Sequence, residues 1–128
     1  MQPFARKMST LPNDTEAEYF FVSPPIPGNE GLLPIASWEE MYLETQTTGV
    51  EFDEFWYESV EEGVAYFFVW LGPPRSTVLV VWDDNGPTHV ECRTFGDVLV
   101  SEADTVPILA EVVHLFRSAG FWRGEANH

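Results

Sequence analysis

At 128 residues, 45% hydrophobic and 15% aromatic, the chain has enough apolar side chain for one buried core and too much for a disordered polymer. Its formal charge of −15, from 21 Asp and Glu against six Lys and Arg, argues against nucleic acid or an anionic membrane as a binding partner. The single cysteine, Cys92, excludes an intrachain disulfide and a thiolate zinc cluster.

The acidity is uneven. Between Met8 and Pro74 there are 13 acidic residues and no Lys or Arg; the six basic residues lie at Arg6, Lys7 and from Arg75 onward. The longest apolar runs, such as Val64 to Leu71, fall far short of the roughly 20 residues that cross a bilayer. The opening MQPFARKMST has no apolar core of a signal peptide, so the expected location is cytoplasmic, with residues 1–17 expected to be poorly ordered.

Glu18 to Val22, EYFFV, reads as a short strand, and the prolines of SPPIPGNEG (Ser23 to Gly31) then force an extended loop. A helix is expected over about 38–48. Ser37 and Glu40 have capping-box spacing, Trp38, Met41, Tyr42 and Thr45 recur at intervals of three and four, and Gly49 is placed to end the helix.

The next stretch, VEFDEFWYESVEEG (Val50 to Gly63), holds six acidic residues and four aromatics. On a helical wheel counted from Glu51, the five glutamates Glu51, Glu54, Glu58, Glu61 and Glu62 share an arc of roughly 100°. Phe52, Phe55, Trp56, Ser59 and Val60 fill the neighbouring arc, with Asp53 and Tyr57 on the remaining flank. This pattern predicts a second helix with an acidic outer face and an aromatic inner one.

Strands follow. VAYFFVWL (Val64 to Leu71), STVLVVWD (Ser76 to Asp83) and THVECRTF (Thr88 to Phe95) are separated by a GPPR turn and an Asn85–Gly86 turn signal, which predicts an antiparallel meander. TVLVVW does not alternate, as expected of a central strand covered on both faces. In the third strand Val90 and Cys92 alternate with His89, Glu91 and Arg93, so one face is wetter, and DVLVS (Asp97 to Ser101) can add another short strand. A final helix is expected to be capped by Asp104 or Thr105, with Pro107 in its first turn and an apolar stripe of Ile108, Leu109, Val112, Val113 and Phe116 before Gly120. The expected fold is one α+β domain over residues 1–128: an antiparallel meander of four to five strands packed against two or three helices.

Catalysis finds little support in these residues. The chain has no glycine-rich phosphate loop and no Cys/His pair with zinc spacing. Asp83, Asp84, His89 and Glu91 could converge across the hairpin as metal ligands, but Asp and Asn favour turns in any case. Cys92 points to the core in alternating register, away from His89, so it reads as an inert thiol. The glutamates of the second helix lie opposite its apolar face and read as solvated rather than as paired catalytic acids. No enzyme activity, cofactor or metal is expected.

An ordinary helix surface intersperses Lys with Glu to relieve repulsion. Here 67 consecutive residues have no such relief, which favours a basic macromolecular partner for the acidic face. Expected contacts are Glu51, Glu54, Glu58, Glu61 and Glu62 for steering, Asp83 and Asp84 as a second patch, and Tyr57 as an exposed aromatic anchor.

The run from Ser76 to Trp122 resembles the C-terminal half of small bacterial immunity proteins that neutralise polymorphic toxins, in particular the group facing nucleic-acid deaminase toxins. The resemblance rests on a strand pair (Val78 to Trp82), an acid-flanked turn (Asp83 to Gly86), a VP helix start (Val106–Pro107), and an amphipathic helix ending over Phe116 to Gly120. It implies a non-catalytic protein that plugs a toxin's active site, and an acidic surface suits a toxin with a basic cleft. Two other readings belong to different classes: a small-ligand domain with Trp56, Tyr66, Phe68, Trp70 and Trp82 around a pocket, and an acidic secretion chaperone.

Overall fold

The computed structural model describes residues 21–22, 24–83 and 86–120. In chain order these form β1 (Leu32–Pro34), α1 (Trp38–Thr48), α2 (Glu54–Glu61), β2 (Ala65–Trp70), β3 (Ser76–Asp83), β4 (Gly86–Thr94), β5 (Val98–Leu99) and α3 (Glu102–Ser118). The five strands make one antiparallel sheet in the order β1-β2-β3-β4-β5. The α+β meander expected from the sequence is the fold.

The sheet is covered on both sides, and the side-chain alternation of β2 and β3 divides the core accordingly. On one face Ala65, Phe67 and Leu79 pack with Trp38 and Met41 of α1 and Tyr57 and Val60 of α2. On the other, Tyr66, Phe68, Val78 and Val80 pack with Ile108, Val112 and Phe116 of α3. Phe116 sits at the centre of an aromatic group, with ring centroids 6.4 Å from Tyr66, 6.2 Å from Phe68 and 5.8 Å from Trp82. Residues in β2 and β3 therefore need an apolar side chain whichever way they point, which is why these strands read as unbroken apolar runs.

Local signals set the start and end of α1. The Ser37 hydroxyl accepts the Glu40 N–H at 3.1 Å, while the Glu40 carboxylate reaches back to the Ala36 N–H at 2.8 Å. Gly49, at φ 76°, ends the helix in the left-handed region with its N–H on the Thr45 carbonyl. A buried carboxylate then fixes α1 to the sheet. Glu44 accepts both Arg75 guanidinium nitrogens, at 2.7 and 2.9 Å, and the Thr77 hydroxyl. Glu44 and Thr77 are buried, and Arg75 also lies over the Phe95 ring.

Three local expectations need correction. The loop after Gly31 contains the short edge strand β1, which pairs Leu32 with Trp70; Pro34 is tolerated there because an edge strand leaves one side of its backbone unpaired. Phe21 and Val22 are not in a strand, and the rest of the EYFFV segment lies outside the described residues, as do residues 1–17. Helix α3 starts earlier than expected: Ser101 is its cap, accepting the Asp104 N–H at 3.2 Å, so Pro107 falls in the second turn. Cys92 is 2% exposed among Val90, Val100 and α3, and burial pushes its thiol up to about 11, as suits an inert core cysteine.

Candidate functional site

Helix α2 is eight residues long and begins at Glu54, with Asp53 at its cap position. Residues 51–53 approach it in non-helical backbone, so the phase differs from that of a helix starting at Glu51. Phe52 reaches the core from this approach segment rather than from the helix. Within α2 the buried side chains are Tyr57, Ser59 and Val60, with Trp56 packed at the margin. The inner face is thus rotated away from Phe55 and towards Tyr57.

The rotation exchanges two aromatics. Tyr57 is 1% exposed; its ring packs between Trp38 and Phe67, and its hydroxyl accepts the Phe52 N–H at 2.9 Å. Burial pushes the phenol well above its ordinary range. The expectation of an exposed Tyr57 anchor is therefore corrected: this side chain cannot reach a partner. Phe55, expected in the core, is 63% exposed and lies between Glu54 and Glu58 in sequence. Sequence reasoning missed it, although its position at the outer margin of the predicted apolar arc was the available signal.

Four of the five glutamates share the solvent side of α2. Glu54, Glu58 and Glu62 are exposed, and Glu61 is half-buried. Their spacing of four, three and one sets them along one stripe. Among the described residues, Glu54, Glu58 and Glu62 have no ion-pair partner, and the last turn of α2 has no basic residue to answer the negative end of the helix dipole. Two of the chain's few cations face other carboxylates. Arg75 is held by Glu44, and Arg93 lies 2.6 Å from Glu91 and 3.3 Å from Asp97.

Glu51 belongs to a different setting. Its backbone N–H donates to the Asp97 carboxylate at 3.2 Å, and burial together with the Asp97 charge raises its own carboxyl above the ordinary 4.5. The ionised form of Glu51 is therefore disfavoured in the fold, so its contribution to stability declines as pH rises through the raised value. Replacing Glu51 with Gln is expected to raise the melting temperature by about 1–3 °C at pH 7. Thermal unfolding across pH should show this gain vanish below the ordinary carboxylate range, where Glu51 is protonated in both states.

Asp83 is exposed at the end of β3; the neighbouring Trp82 N–H donates to the Val64 carbonyl at 3.1 Å, which brings this end of the strand beside the segment following α2. Asp84 lies outside the described residues. On the sheet face under α2, the His89 ring stacks on Trp56 with centroids 5.5 Å apart and planes 9° from parallel, and its Nε2 is 3.4 Å from Glu91. Among the described residues no three His, Cys, Asp or Glu side chains gather as metal ligands.

The five aromatics considered for a ligand pocket do not converge. Trp56 packs on the α2 face, whereas Tyr66, Phe68, Trp70 and Trp82 lie on the α3 face. Three of those four are already in ring contact with Phe116. Among the described residues no helix is long and apolar enough to cross a membrane. No protein-family profile matches the chain, and neither a curated protein nor a solved structure matches it.

Proposed function

We propose that the chain is a non-catalytic, acidic protein-binding inhibitor that meets a basic protein partner through the outer face of α2 and blocks that partner's substrate cleft, in the manner of a toxin immunity protein. The observation that carries this reading is the stripe of Glu54, Glu58 and Glu62, which have no ion-pair partner among the described residues, around a phenylalanine that is 63% exposed. Such a stripe accelerates encounter with a cationic surface, while an aromatic that leaves water on binding slows dissociation. Asp83 extends the same sign of charge beyond the end of the helix. Phe55 takes the anchoring role in place of the buried Tyr57.

A cytoplasmic setting, in which an inhibitor would protect the cell that makes a toxin, belongs to the same proposal. The test begins with the full-length chain as bait in cells that make it, followed by purification of the captured protein and titration of its activity. One equivalent of the chain should abolish the activity of a basic enzyme. An acidic captured protein, or one whose activity survives saturation with the chain, would overturn the reading.

A further inference from the structure

A second surface lies away from the outer face of α2. Strand β5 covers only one end of β4: it pairs Leu99 with Arg93 and Val98 with Thr94, and Val100 then donates its N–H to the Cys92 carbonyl at 2.9 Å before the chain turns into α3. In an antiparallel ladder the residue two positions along directs its N–H and C=O to the same edge, so Val90 faces that edge too. Among the described residues no strand lies beside Val90. The register shift opposite Val81 and Trp82, together with Pro87, closes the far end, so the open edge spans about His89 to Glu91.

Beside it lies a groove of about 580 Å³ between β4 and the first half of α3. Its lining includes Leu99, Val106 and Leu109, which are 62%, 63% and 42% exposed. Glu102 also lines it. On the opposite sheet face the same edge presents His89 and Glu91, and the Glu91 carboxylate also meets Arg93, which reaches Asp97. A strand added beside Val90 would place one side chain in the apolar groove and its two neighbours on that face, where the carboxylates of Glu91 and Asp97 stand against the one guanidinium of Arg93.

We infer that the β4 edge accepts an extended segment of a basic partner in which an apolar residue is flanked by Lys or Arg, adding a sixth strand to the sheet. Charge selects this occupant over a second copy of the chain, since each copy carries −15. The inference goes beyond the acidic-face reading, because neither the groove nor the backbone edge is part of α2.

Three synthetic peptides test it on the full-length protein: acetyl-KVKVKVK-amide, a block isomer acetyl-KKKKVVV-amide, and the alternating peptide N-methylated at its central valine. The alternating peptide should bind at least about tenfold more tightly than the other two, because N-methylation removes one backbone N–H donor and sets a methyl group against the strand edge, and the block isomer cannot flank a seated valine with lysine on both sides. In hydrogen exchange the Val90 amide should be unprotected in the free protein and protected in the complex. The double variant V106S/L109S, altered only at exposed positions, should keep its melting temperature and lose the preference. Equal binding of the three peptides would reduce the interaction to charge and overturn strand addition. So would loss of binding confined to a variant with Glu54, Glu58, Glu61 and Glu62 changed to Gln, or a Val90 amide already protected without peptide.

Discussion

Replacing Glu44 with Ala is expected to cost about 3 kcal/mol of stability, measured by urea unfolding, because it removes the centre of a buried charged cluster. The carboxylate receives two guanidinium hydrogen bonds from Arg75 and one from the Thr77 hydroxyl, and its side chain is only 5% exposed. Without it the Thr77 hydroxyl, fully buried, has lost its acceptor, and a guanidinium that is 29% exposed has lost its counter-charge. For a small domain holding roughly 5–15 kcal/mol in total, this is a large fraction. Arg75→Ala should cost at least as much, since it leaves the more deeply buried of the two charges behind. A double-mutant cycle should give strong coupling between the two sites; additive losses would mean that the pair does not join α1 to the sheet.

Tyr57→Ala should cost about 3–5 kcal/mol, whereas Phe55→Ala should change stability by less than about 0.5 kcal/mol. The contrast follows from the phase of α2. Tyr57 is 1% exposed between Trp38 and Phe67, so its removal leaves a cavity under the helix and an unpartnered Phe52 N–H; Phe55 is 63% exposed and leaves none. Tyr57→Phe separates the two contributions, keeping the ring while removing the acceptor, at about 1–2 kcal/mol. Equal losses from the two alanine variants would mean that the helix is rotated from the position described. The same pair separates folding from binding, since Phe55→Ala should speed dissociation of a partner without weakening the fold.

Much of the fold was legible because its signals are local. Ser37, Glu40 and Gly49 bound α1 within the chain, and the apolar runs of β2 and β3 are long enough to identify a strand covered on both faces. What escaped depends on distant partners. Three residues, one of them proline, do not identify β1, whose strand character comes from pairing with Phe68 to Trp70. The acidic stripe of α2 was readable from periodicity, but the exact phase was not. An eight-residue helix tolerates several apolar arcs, and the one adopted is set by Trp38 and Phe67, which receive Tyr57 from elsewhere in the chain. Glu51 was grouped with the helix by spacing alone, whereas Asp97, 46 residues away, determines its surroundings.

Steering of a basic partner by the outer face of α2 is read in the rate of association as a function of ionic strength. The purified partner would be compared against wild type and a variant with Glu54, Glu58, Glu61 and Glu62 changed to Gln. Wild type should associate about tenfold more slowly at 200 mM salt than at 20 mM, and the variant should start slower and vary far less, because screening has little left to act on. Identical rates with identical salt dependence in the two proteins would rule out steering by this face.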